Sequence, residues 1–212
     1  MSAASRAPLS SNRPRGHVSS RRAMALTATV VASAFALTAC GSGGTSGGSG
    51  DTNFVTGTDG IATVAKGERV AAPDLSGPTI DGKQLDVADY KGKVVVINVW
   101  GSWCGPCRLE AKNFVAVSAD LKDQGVEFVG INTRDTSTGP AVAFEKQYGV
   151  TYPSLYDPTG KLMLRFKKGT LNPQAIPSTL ILDRQGKIAA RTLQALSEDN
   201  LRKMLKPVLA EK

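Results

Sequence analysis

Histidine is almost missing from this chain of 212 residues: there is one, His17, beside three cysteines, Cys40, Cys104 and Cys107. A structural zinc site takes four ligands, usually cysteine and histidine. The count is just four, but His17 falls in a stretch that reads as a cleaved signal and Cys40 at its end, so the ligands for such a site are missing. The lack of a mature histidine also counts against a Cys/His copper site, while soft-metal binding by two thiols alone stays open. A membrane-length apolar run is missing too. The run of apolar and small residues from Ala23 to Ala39 has 17 members, fewer than the ~20 a helix needs to cross a bilayer. No stop-transfer flank follows it. Acid is absent from residues 1–22, which carry Arg6, Arg13, Arg15, Arg21 and Arg22. No internal repeat is present.

A basic start, an apolar stretch and a small-residue end are the marks of an export signal, expected over residues 1–39. Its removal takes five arginines and no acids, so the formal charge of +8 falls to +3. That mild excess gives no case for nucleic acid. The ending Leu37-Thr38-Ala39-Cys40 resembles the lipobox of bacterial lipoproteins, in which the cysteine is lipidated and becomes the new N-terminus. The alternative is an incidental cysteine beside an ordinary cleavage site. A Gly/Ser coil follows (41–52), and residues 40–60 read as a flexible tether. Arg21-Arg22 loosely resembles a twin-arginine signal, but the residues after it fit poorly, so the export route stays open.

Residues 61–212 have globular composition, enough for one well-buried core. Val94-Val95-Val96-Ile97-Asn98-Val99-Trp100 is nearly all apolar and β-branched, as in a central strand covered on both faces. Helical spacing follows from Cys104 to Gln124, with Gly125 as its stop. A second strand is predicted over 127–132, a helix over 141–148, a short strand over 154–156 and a helix over 158–167. Strands over 178–182 and 187–192 form a hairpin. A last helix begins at Ser197, a good cap, with Leu201, Leu205 and Leu209 on one face. Asp81-Gly82 sits between short extended pieces as a small leading hairpin. Strands alternating with helices argue for an α/β fold around a mixed sheet.

Cys104 and Cys107 stand three apart in Trp-Cys-Gly-Pro-Cys, at the junction of the central strand and its helix. A disulfide across so small a loop restricts the unfolded chain very little, which argues against a purely structural bridge. The junction places Cys104 at a helix N-terminus, where N–H groups and the macrodipole favour a thiolate. Pro106 fits the first turn. Cys107, nearly a turn further in, is expected to be more buried and to act as the second thiol. Cys107, Glu110, Phe114, Val117 and Leu121 recur at helical spacing, so Glu110 shares an otherwise apolar face. Either it is desolvated beside the thiols, with a raised pKa suited to moving protons, or it escapes to the surface to pair with Lys112 or Arg108.

These residues resemble the thioredoxin active site, and the wider pattern resembles the membrane-anchored TlpA/ResA-like (CcmG-like) branch of that superfamily. The likeness runs from about Val70 to the C-terminus. It rests on Asn98 six residues before Cys104, Glu110 three after Cys107, an inserted helix–strand segment over 140–156, and Ile176-Pro177-Ser178-Thr179. It implies a thioredoxin fold, with a central mixed sheet flanked by helices and an N-terminal β-hairpin. It implies a redox-active Cys104–Cys107 disulfide with no other cofactor, Glu110 as proton carrier, and a cis Pro177. Trp103, Gly105, Pro106, Ile176 and Pro177 would then form the substrate-binding surface. By the same resemblance the protein is a lipid-anchored, monomeric thiol–disulfide oxidoreductase on the extracytoplasmic face of the cell membrane. It would reduce protein disulfides, including those of apocytochrome c, and be recharged by a DsbD/CcdA-like membrane thiol donor. An exported oxidant or isomerase, a thiol peroxidase, and a thiol-based metallochaperone stay open. The stretch 167–176 is longer and more basic than the matching connection in such relatives, and reads as a variable surface loop or as a lip that shapes the partner.

Overall fold

Residues 52–211 are described in the computed structural model; the expected signal over 1–39, lipidation at Cys40 and the tether as far as residue 51 lie outside them. The chain forms, in order, β1 (Val55–Thr56), β2 (Ile61–Thr63), β3 (Ser76–Pro78), β4 (Gln84–Asp86), β5 (Val94–Trp100), α1 (Gly105–Leu121), β6 (Val126–Thr133), α2 (Thr138–Tyr148), β7 (Ser154–Asp157), α3 (Lys161–Leu164), β8 (Ser178–Leu182), β9 (Ile188–Thr192) and α4 (Glu198–Leu209). One mixed sheet runs β1-β2-β9-β8-β5-β6-β7, and β3 and β4 pair as a separate hairpin. Strands β5, β6 and β7 are parallel, joined through α1 and α2 because a parallel return needs a crossover. The other neighbours in the sheet are antiparallel.

Strand β5 is buried at every position, and its period-2 alternation divides the core. Val94 and Val96 meet Phe114, Val117, Leu201 and Leu205 from α1 and α4. Val95, Ile97 and Val99 meet Leu75, Val87, Leu162 and Phe166 on the opposite face. The same alternation puts Asn98 and Trp100 on the side of α1. At the far end of the molecule the Arg69 guanidinium donates to Asp183 at 3.0 Å and to Glu211 at 2.6 Å. It ties the N-terminal arm to the β8–β9 turn and the end of the chain.

Three expectations change. The folded part begins before residue 61: Thr52 is buried and β1 lies inside the stretch read as tether. Two- and three-residue strands show no periodicity; pairing of β2 with β9, and of β1 with β2, is what makes them strands. The helix read over 158–167 contracts to α3, because Gly160 is left-handed at φ 72° and breaks any helix through it. Asp157 instead accepts the N–H groups of Lys161 and Leu162, which starts the helix there. Helix α2 begins three residues earlier than expected, with Pro140 inside its first turn. Among the described residues no helix is long and apolar enough to cross a membrane.

Candidate active site

The buried β5 ends at Trp100, and four residues later Cys104 caps α1 in an extended conformation. The Cys107 N–H donates to Cys104 Sγ at 3.2 Å. The two cysteines are joined as a disulfide with Cα atoms 5.3 Å apart. When it is reduced, the same N–H and the helix N-terminus face the Cys104 sulfur and favour its thiolate. Cys107 is the more buried of the two, but only by 1% exposure against 3%. Cys104 is itself covered: Ile176 packs against the pair, and its carbonyl oxygen lies 3.7 Å from Cys104 Sγ. Neither a disulfide sulfur nor a thiolate has a proton to give, so this is a contact rather than a hydrogen bond. The Ile176–Pro177 bond is cis. Trp103, Gly105 and Pro106 are exposed around Cys104, whereas Pro177 is buried and Ile176 half-buried.

Glu110 is 2% exposed, on the same face of α1 as Cys107, Phe114 and Val117. The surface pairing with Lys112 or Arg108 is therefore not formed. Its Oε1 accepts from Asn98 Nδ2 and its Oε2 from the Leu196 N–H, both at 2.9 Å. Burial pushes the carboxyl up to about 7, against these two bonds, which favour the charged form. A cavity of about 10 Å³ lined by Asn98, Cys107, Trp100 and Tyr152 adjoins the site, about the size that holds one water molecule.

Sequence reasoning missed the bolt that holds the loop before Cys104. Asp135, buried beyond the end of β6, accepts from the Ser102 N–H at 2.9 Å, Ser102 Oγ at 2.5 Å and Asn132 Nδ2 at 2.6 Å. Tyr156 Oη donates to the Asp135 carbonyl at 3.0 Å. The available signal was positional: polar residues at the carboxyl end of a buried parallel strand lie where α/β sheets place their sites. Arg134 was missed for the same reason. Its guanidinium lies 5.8 Å above the Trp103 ring and donates to the Pro173 carbonyl, so it joins the loop over 167–176 to the cysteine motif.

Residues 69–191 match the AhpC/TSA family. The thiol-disulfide oxidoreductase ResA of Bacillus thuringiensis is 28% identical over 65% of this chain and 76% of its own. The thiol:disulfide interchange protein HelX of Rhodobacter capsulatus is 35% identical over 71% of this chain and 80% of its own. A secreted thiol-disulfide isomerase from Corynebacterium glutamicum superposes with a TM-score of 0.67, at 30% identity, covering 74% of this chain and 97% of that one. The chain belongs to the AhpC/TSA family and is a thioredoxin-fold thiol–disulfide oxidoreductase of the ResA/HelX kind.

Proposed function

We propose that this member of the AhpC/TSA family reduces protein disulfides outside the cytoplasmic membrane, through Cys104 and Cys107, with Glu110 as proton carrier. The observation that carries the reading is the buried Glu110 carboxyl, held by Asn98 and Leu196 on the helix face of Cys107. In the reduced protein the Cys104 thiolate attacks a substrate disulfide. An S–S bond forms to Cys104, and the substrate's other sulfur leaves as a thiolate. The Cys107 thiol then loses its proton to the Glu110 carboxylate, which shares its helix face. Its thiolate displaces Cys104 from the mixed disulfide and releases the second substrate thiolate. Two electrons pass to the substrate, and the released thiolates take up two protons, one from Glu110 and one from water. A carboxyl that titrates near neutral is matched to that exchange.

Lipid anchoring at Cys40 fits this reading, since it would hold the domain at the membrane face where a thiol donor can recharge it. The resemblance to the TlpA/ResA-like branch adds apocytochrome c thiols as substrates. A second reading, isomerase or oxidant, is favoured by the isomerase name of the Corynebacterium glutamicum protein. The reduction potential separates them: a value near the oxidising end for such couples, around −120 mV, overturns the reductase reading. Insulin reduction tests the residues. Activity is expected to be lost in Cys104→Ser, while Cys107→Ser should accumulate covalent complexes through Cys104. Full activity in Cys104→Ser would remove that residue as the nucleophile.

A further inference from the structure

Three segments frame Cys104: residues 101–109, 133–140 and 166–177. Their cations are Arg108, Arg134, Lys167 and Lys168, and their single acid is Asp135, buried and committed to Ser102 and Asn132. Arg108 donates through Nε and Nη2 to the Ser102 carbonyl at 3.1 and 2.6 Å. Arg134 donates to the Pro173 carbonyl and lies over Trp103. Both guanidinium groups are exposed and positioned by neutral carbonyls, and neither has a carboxylate partner among the described residues. Arg134 also holds a left-handed backbone at φ 60°, which non-glycine residues rarely adopt. Such outliers persist where surrounding contacts hold them, and they cluster at ligand clamps.

We propose that Arg134 and Arg108 select substrate disulfides whose cysteine is flanked by aspartate or glutamate. The inference rests on the reading of Cys104 as nucleophile. A substrate strand lying across Trp103 meets Arg134, which sits over that ring and is tied to Pro173, and Arg108 is held beside the same motif by Ser102. A guanidinium held by a single carbonyl keeps its full charge and presents a planar fork suited to a carboxylate. A lysine or arginine at the same substrate position meets two like charges that have no carboxylate partner among the described residues.

The test uses the reduced full chain and two peptides, Glu-Glu-Cys-Glu-Glu and Lys-Lys-Cys-Lys-Lys, each as a mixed disulfide with thionitrobenzoate. The rate ratio of acidic to basic probe is divided by the same ratio for dithiothreitol, whose attacking thiolate carries the same charge as Cys104, to cancel intrinsic reactivity and the charge of the nucleophile. We expect a normalised ratio on the order of tenfold at low ionic strength, falling toward one in molar salt. Arg134→Gln should lower it severalfold, Arg134→Lys should keep most of it, and the double variant with Arg108→Gln should bring it close to one. Because the readout is a ratio within one preparation, partial loss of folded protein does not disturb it. A wild-type ratio of one, or a ratio untouched in the double variant, overturns the clamp and leaves the dithiol chemistry standing. Failure of both probes to react overturns the dithiol reading and the clamp together.

Discussion

Replacing Glu110 by glutamine should make the protein more stable in mild alkali while slowing its chemistry. Burial lifts this carboxyl from an ordinary 4.5 to about 7. The folded state therefore keeps a proton that the unfolded chain releases between those two values. The contribution of this carboxyl to stability is fully present below pH 4.5, declines as pH rises toward 7, and is gone above it. A displacement of that size corresponds to about 3 kcal/mol. Glutamine has the same shape without the charge. Its Oε1 can keep the Leu196 N–H, and Asn98 can turn its amide so that Oδ1 accepts from the new Nε2. At pH 8 the variant is then expected to exceed wild type by about 2–3 kcal/mol, roughly 5–10 °C in Tm for a domain of this size. The gap should close as pH falls to 4.5. Thermal or urea denaturation of the oxidised proteins across this range reads it without interference from thiolates. Disulfide reduction by the same variant should be slower by about a hundredfold, the low end for a lost general acid–base group. Stability curves that stay parallel from pH 4.5 to 8 would refute the argument that Glu110 is a desolvated carboxyl.

Two further outcomes follow from close contacts. Asp135→Ala removes the acceptor for the Ser102 N–H, Ser102 Oγ and Asn132 Nδ2. It should cost about 2–3 kcal/mol in urea denaturation and slow insulin reduction by loosening the loop before Cys104; an unchanged rate in the folded variant counts against the bolt. Gly130→Ala places a Cβ 2.2 Å from Ser154 Oγ, 2.7 Å from Trp100 Nε1 and 2.9 Å from Ser154 Cβ; the hydroxyl can turn away only by leaving Glu145, and the Ser154 Cβ is fixed to its strand. A loss of about 1–3 kcal/mol is expected, and an unshifted urea midpoint would show that β6 and β7 separate more freely than their pairing indicates.

What was readable in the sequence was local. The apolar, β-branched run of β5, the helical spacing from Cys107 to Leu121 and the turn between β8 and β9 each announce their element within a few residues. The repeat of Cys107, Glu110, Phe114 and Val117 puts Glu110 on an otherwise apolar face, because helix geometry alone decides which side chains share a side. The cysteine spacing at a strand–helix junction pointed to redox chemistry for the same kind of reason.

Other features depend on groups far apart in the chain. Strand β2 exists because β9 offers an edge, and β1 because β2 then offers another, so nothing in their few residues marks them. Which of two fates awaited Glu110 was open until Leu196, 86 residues away, supplied a backbone N–H, and Asn98 a side-chain amide. Asp135 reaches Ser102 across 33 residues, and Arg134 reaches Trp103 and Pro173 only because the sheet brings three loops together at one end. The sequence by itself determined the dithiol, its helix and the carboxyl beside it. The tertiary structure decided how that carboxyl is held, what fixes the loop before Cys104 and which charges surround it, because burial and long-range hydrogen bonds have no local periodicity.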